Sequence, residues 1–176
     1  MTGKLEIGGE RYGNQGYFYG SEPNDFLKEH ADAIPTGGKV LCIAEGEGRN
    51  AVYLAGLGYQ VSAVDGSAVG LAKLAAFAKE RKVTVQAVCA DLADYDIGTA
   101  KWDAIISIWC HLPKPLRASV HHRVAEGLRP GGCFLLEAYT PKQLGYKTGG
   151  PPDASLLMTL SALQQELPGL VIEHGV

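Results

Sequence analysis

Apolar residues fall into short uninterrupted runs separated by stretches of helical spacing, and the two patterns alternate from residue 40 onward. Val40 to Ala44, Val61 to Val64, Val83 to Cys89 and Ala104 to Trp109 are each the length of a strand. Between them, Arg49 to Leu57 and Ser67 to Lys82 carry the three-and-four spacing of a helix with one buried face. The pattern continues with a helix over Pro115 to Leu128, a strand over Cys133 to Ala138, a loop rich in Gly and Pro, a helix over Asp153 to Leu167 and a last strand near Leu170 to His174. Upstream, "SEPNDFLKEHADAI" offers Ser21 as a cap, Pro23 in the first turn, and Phe26, Leu27, Ala31 and Ile34 at helical spacing. Residues 1 to 20, rich in Gly and Tyr, show neither period and read as a flexible arm before a single domain over residues 21–176. Nearly continuous apolar strands alternating with helices predict a doubly wound, mainly parallel α/β sheet with helices on both faces.

Composition narrows the partners. The chain has 176 residues, 46% of them hydrophobic, enough for one ordinary core. Its net charge of −3, with both signs scattered, offers no basic face to nucleic acid or to an anionic membrane, so a small molecule is the expected partner. Cys42, Cys89, Cys110 and Cys133 lack any CxxC pairing and read as buried reduced thiols, with no metal expected. No apolar run approaches the roughly 20 residues of a membrane span, and the N-terminus has no apolar leader core, so the expected location is cytoplasmic.

In such sheets ligands bind beyond the carboxyl ends of the strands. Here those ends carry acid: Glu45-Gly46-Glu47-Gly48 after the first strand, Asp65 after the second and Asp91 after the third. Gly46-Glu47-Gly48-Arg49-Asn50-Ala51 fits the dinucleotide pattern G-x-G-x-x-G/A, with Asp65 where a ribose-binding acid belongs. Two carboxylates beside the glycines oppose a pyrophosphate, which seeks the bare positive end of a helix. S-adenosyl-L-methionine, with a ribose, an ammonium and a sulfonium but no phosphate, answers the pattern better. An NAD-dependent oxidoreductase and a non-catalytic nucleoside-binding module are the alternatives.

The motifs "VLCIAEGEGRN", "VSAVDGS", "AVCADLADY" and "LRPGGCFLLEAY" together resemble those of the class I S-adenosylmethionine-dependent methyltransferases. "YGSEPNDFL" and "CHLPKPLR" look most like the branch containing the tellurite-resistance and thiopurine methyltransferase-like enzymes. The resemblance implies a Rossmann-like sheet in the order 3-2-1-4-5-7-6. With the sixth strand expected close to Val176, the seventh is expected to be missing from the sequence, so that the strand-5 edge "CFLLEAY" is either completed by a natural C-terminal hairpin beyond Val176 or paired with a second chain in a homodimer. Cys42 and Ala44 replace the acid and glycine that commonly open the first motif, so Glu45 is the residue expected to supply negative charge there.

The implied cofactor set is Ala44, Glu45, Gly46, Gly48, Arg49, Asn50, Asp65, Gly66, Asp91, Leu92 and Ser107. Gly46 and Gly48 would let the backbone approach the methionine part, or would simply make a tight turn. Asp65 would accept the ribose hydroxyls, or cap the next helix. Asp91 and the Leu92 amide would face the adenine, or close a loop turn. Arg49 would pair with a carboxylate, or point to solvent. Tyr19, Trp109 and His111 would line the acceptor site, with Trp109 alternatively in the core. His111 is the candidate general base, set against a histidine bonded to loop backbone. His121 and His122 are expected at the surface. Tyr12, Tyr17, Phe18 and Tyr19 would fold over the pocket or cover an apolar edge. The resulting reading is methyl transfer to a small acceptor, with a soft sulfur, selenium or tellurium nucleophile such as a thiol or tellurite needing no base.

Overall fold

The computed structural model describes residues 12–13, 16–146 and 149–175. Five parallel strands form one sheet: β1 (Lys39–Ile43), β2 (Gln60–Asp65), β3 (Val85–Cys89), β4 (Trp102–Ile108) and β5 (Leu128–Glu137). Their order is β3-β2-β1-β4-β5, so the direction of winding reverses between β1 and β4. That reversal splays the following loops apart and opens a crevice at the carboxyl ends of these two strands.

Residues alternate across β1. Val40 and Cys42 join a core beneath α1 (Asp25–His30), α2 (Arg49–Gly56) and α3 (Ala68–Glu80). Leu41 and Ile43 join a second core beneath α4 (Lys114–Gly127) and the C-terminal segment. Both faces of the central strands are therefore sealed, as their apolar runs predict. β3 departs from that expectation: it is an edge strand, half-buried at Val85 and exposed from Gln86 to Cys89.

The first helix is capped by Asn24, whose side chain accepts the Leu27 N–H at 3.0 Å, and not by Ser21. The helix expected over residues 153–167 divides into a 3₁₀ turn, Ala154–Leu156, and α6 (Leu160–Glu166), with α5 (Gln143–Tyr146) before them. Thr159 caps α6 through the Ala162 N–H, which breaks the run. Leu170 to His174 form no strand; Leu170 packs on the second core while Val171 is 85% exposed. A strand needs a paired neighbour, and among the described residues none lies beside this segment. Among the described residues, no strand pairs with the outer edge of β5.

Two other expectations change. His121 is buried, its Nδ1 2.8 Å from the Glu166 carboxylate, which also accepts three bonds from Arg117. Only His122 lies at the surface. Of the cysteines, Cys42 and Cys110 are buried, Cys133 is half-buried and Cys89 is exposed at the end of the edge strand.

Candidate functional site

The loop after β1 passes through three left-handed residues, Ala44, Gly46 and Gly48, before α2 begins at Arg49. Each of its two glutamates has a defined task. Glu45 Oε1 accepts the Asn50 and Ala51 N–H groups at 3.0 and 2.8 Å, so a carboxylate caps a helix whose N-cap residue, Gly48, has no side chain to do so. Burial pushes the Glu45 carboxyl up to about 7, against the two backbone bonds and the Arg49 charge that favour ionisation.

Glu47 is buried and faces the arm. It accepts the Phe18 N–H at 2.6 Å and the Lys73 ammonium at 2.8 Å, while Lys73 also donates to the Gly16 carbonyl at 2.6 Å. Arg49 lies along the same segment, donating to the Tyr19 carbonyl at 3.3 Å with its guanidinium 5.7 Å from the Tyr19 ring. Residues 16–20 are thus tethered, and Tyr12 lies against Gly46 and Gly70, where an added Cβ at either glycine would meet it. Residues 1–11 and 14–15 of the arm lie outside the described residues. Arg49 serves this arm, an arrangement that neither sequence reading of it contained.

At the end of β2, Asp65 Oδ2 accepts the Gly46 N–H at 2.9 Å and Oδ1 accepts the Ser67 N–H at 2.7 Å. The cap of α3 is Ser67, which accepts the Gly70 N–H. Asp65 therefore ties the first two strand-end loops together and keeps lone pairs on both oxygens. Beside it, the Cβ direction of Gly66 meets open space. Asp91 turns back to accept the Ala93 N–H at 2.8 Å, leaving Leu92 buried. Arg123, which the sequence reading did not single out, holds this loop by donating to the Leu92 and Tyr95 carbonyls, both at 2.6 Å.

Ser107 is buried in β4, and the backbone then enters the left-handed region at Trp109, a strained conformation for a bulky residue. The Trp109 N–H donates to the Glu137 carbonyl at 2.9 Å, and its ring lies 4.3 Å from that of Tyr139. His111 stacks on Tyr139 at 5.7 Å. Its Nδ1–H donates to the Trp109 carbonyl at 3.0 Å and its Nε2 accepts the Tyr139 N–H at 3.2 Å, a pairing that requires the neutral ring. Burial lowers the His111 pKa and reinforces that state. With both nitrogens engaged by backbone, His111 sets the shape of the mouth and has no free lone pair in this state.

Glu137, also missed, accepts from Asn24 Nδ2, while Asn50 Oδ1 accepts the Asn24 N–H at 2.9 Å. A polar chain, Glu45–Asn50–Asn24–Glu137, thus joins the β1 loop to the end of β5. The strand-end rule that located Asp65 would have located Glu137 and Tyr139 had it been carried on to the fifth strand.

Two clusters result. Glu45, Gly46, Asp65 and Gly66 converge at β1 and β2, while Trp109, His111 and Tyr139 converge at β4 and β5. Asp91 lies beyond the first cluster with its side chain turned into its own loop. Gly48 belongs to the packing, because a Cβ there would lie 2.4 Å from Leu74 Cγ. The donor chemistry suits a cationic ligand bearing hydroxyls: Asp65 presents free lone pairs, Glu45 stands at the loop, and the Arg49 guanidinium is directed to the arm. The Asn50 and Ala51 N–H groups in the first turn of α2, which a diphosphate would seek, are already bound by Glu45.

Comparison with known proteins bears on the family and the fold. Residues 40–132, more than half of the chain, match the profile of a methyltransferase domain family. A search of curated proteins finds no match. Among solved structures, the protein PH0226 of Pyrococcus horikoshii OT3 aligns with a TM-score of 0.69 and 20% identity over 81% of this chain and 77% of its own. TehB from Haemophilus influenzae aligns with a TM-score of 0.59 and 25% identity over 66% of this chain and 40% of its own. A S-adenosylmethionine-dependent methyltransferase from Geobacter sulfurreducens, solved with S-adenosyl-L-homocysteine, aligns with a TM-score of 0.56 and 23% identity over 69% of this chain and 51% of its own. No helix among the described residues is long and apolar enough to cross a membrane.

Proposed function

We propose, from the premise that this chain belongs to the methyltransferase domain family matched over residues 40–132, that it methylates a small molecule through a soft sulfur, selenium or tellurium nucleophile such as a thiol or tellurite. The methyl donor is S-adenosyl-L-methionine, which when bound supplies an electrophilic methyl on a sulfonium that leaves without acid assistance. Asp65 would hold the ribose hydroxyls, Glu45 would face the ammonium and the loop around Asp91 and Leu92 would border the adenine. The Trp109, His111 and Tyr139 cluster would exclude water and fix the line of approach, since alignment is the main demand of an in-line displacement.

The observation that carries the soft-nucleophile reading is His111. Neither of its ring nitrogens is free to take a proton, which supports an acceptor that is nucleophilic without help from this histidine. Release of S-adenosyl-L-homocysteine tests this directly. Thiols, selenite or tellurite are expected to be methylated, with no histidine limb in kcat near neutral pH. Turnover confined to alcohols or amines that require a base would contradict the reading.

Glu45 adds a pH dependence. A cation beside it stabilises the carboxylate, so cofactor binding expels the proton that Glu45 holds below about pH 7. Affinity is expected to weaken as pH falls through that value, approaching ~10-fold per pH unit, and Glu45→Gln should flatten the profile. On the fold itself the sign is opposite: a raised carboxyl pKa favours the folded state in acid, and this contribution is lost as pH rises toward 7. Calorimetry at several pH values reads the first effect; an affinity independent of pH would place the ammonium elsewhere.

A further inference from the structure

The outer face of α2 carries a feature that methyl transfer leaves without a task. A groove of about 480 Å³, open to solvent, runs from Arg49, the first residue of that helix, to Gly56 and Leu57 at its end. Ser21 to Pro23, Lys28 of α1 and the turn from α3 into β3 complete its border. Leu57 and Val83 stand just before β2 and β3 begin, at the opposite end of the sheet from the crevice assigned to the cofactor. The groove is therefore a separate place on the molecule.

Its apolar surface comes from Leu57, 52% exposed, with Tyr53 and Val83 half-buried beside it and Val52 and Phe77 buried beneath. Phe77 is held by Tyr17, their ring centroids 5.1 Å apart. Three cations from three elements, Lys28, Arg49 and Arg81, border this surface against one carboxylate, Glu22. None of the four forms an ion pair among the described residues. Arg49 is committed to the Tyr19 carbonyl and ring, which leaves Lys28 and Arg81 as charges without a partner anion. Arginine stems often cover apolar surface with no ligand involved, and Arg81 does so over Phe77 at 5.2 Å, yet Leu57 stays open. Like charges gathered without counter-charge repel, and here they gather in a chain whose net charge is −3.

We propose that this groove is a second binding site, for a small organic anion with an apolar body, such as a medium-chain carboxylate. The apolar body would cover Leu57, Tyr53 and Val83, and the carboxylate would answer Lys28 and Arg81. A bare inorganic anion would leave the apolar surface uncovered, and a neutral lipid would leave the cations unanswered. The site requires neither bound cofactor nor turnover, so it stands apart from the methyltransferase reading.

Octanoate, 1-octanol and octylammonium share one apolar chain and differ in charge. Titrated into the ¹⁵N-labelled full chain, octanoate is expected to shift the backbone amide signals of Gly56, Leu57 and Val83 saturably, with octanol about tenfold weaker and octylammonium weaker still. Added salt should weaken octanoate and spare octanol. Lys28→Gln combined with Arg81→Gln should bring octanoate down to the affinity of octanol, while S-adenosyl-L-methionine binds as it does to wild type. If that double variant fails to fold, the wild-type ranking and its salt dependence decide. Equal affinity for octanoate and octanol, no saturable response to octanoate, or unchanged octanoate affinity in the folded double variant would overturn the proposal. So would co-sedimentation with phosphatidylglycerol vesicles in the absence of saturable octanoate shifts, since the cations would then serve a lipid surface. Failure of S-adenosyl-L-methionine to bind the wild-type chain would instead overturn the methyltransferase reading and leave this site untouched.

Discussion

Glu166→Ala is expected to destabilise the protein by about 3–5 kcal/mol, the largest effect of any single polar substitution considered. Glu166 accepts from Arg117 at 2.7 and 2.9 Å and from His121 at 2.8 Å, and the Arg117 and His121 side chains are only 4% and 3% exposed. Removing the carboxylate leaves a guanidinium desolvated with no counter-charge. The loss has a ceiling, because α6 can detach from α4 and let Arg117 reach water. Urea denaturation reads the global cost, and amide exchange in α6 reads detachment. The network also predicts acid sensitivity. Burial raises the Glu166 pKa, but the bonds and charge of Arg117 and His121 outweigh it and the net shift is downward, so its stabilisation is lost as pH falls through the carboxylate range. Burial lowers the His121 pKa, so below its unfolded value near 6.5 only the unfolded chain gains that proton, again favouring unfolding. A Glu166→Ala protein as stable as wild type, with unchanged exchange in α6, would show the network to be dispensable.

Gly48→Ala is expected to cost about 2–5 kcal/mol, summing a left-handed residue at φ 90° and overpacking against Leu74. This separates two explanations of the same glycine. If Gly48 exists to admit a ligand, alanine should spare stability and weaken only cofactor binding. The Cβ position 2.4 Å from Leu74 Cγ implies instead that it exists to let α3 approach the loop. Leu74→Ala removes the Cγ and Cδ1 contacts but keeps the Leu74 Cβ, 2.8 Å from the added Cβ, so in a double-mutant cycle it should relieve only part of the steric cost and none of the backbone strain, beside the cost of truncating a buried leucine; denaturation midpoints of the single and double variants check this.

The order of elements from residue 39 to residue 137 was legible because each buried strand had to be apolar on both faces and each helix on one. Beyond Tyr139 that signal fails. The apolar residues of Leu170 to His174 imitate a strand, but a strand is a pairing, and whether a neighbour exists is not written locally. His121 is a milder case: Arg117, His121 and Val124 share one helical face, yet their partner Glu166 lies 45 residues away in the sequence. At the site, the strand-end rule found Glu45, Asp65 and Trp109, since parallel topology fixes where those residues must stand. Side-chain direction was beyond it. Glu45 is the one glutamate of the glycine loop that the sequence reading assigns to the ligand; its capping of α2 and the engagement of Glu47 with the arm are not written in the local pattern. The conclusion that the loop rejects a diphosphate survives for a different reason, the prior occupation of the α2 amides by Glu45.

The central claim is that S-adenosyl-L-methionine binds across the carboxyl ends of β1 and β2 with Asp65 on its ribose. Calorimetric titration of the wild-type chain and Asp65→Ala with S-adenosyl-L-methionine, S-adenosyl-L-homocysteine and NADH tests it most directly. The expected result is saturable binding of the first two, none of NADH, and a loss of about 1–3 kcal/mol in the variant, which remains folded. Binding of NADH in their place, or an unchanged affinity in Asp65→Ala, would contradict it.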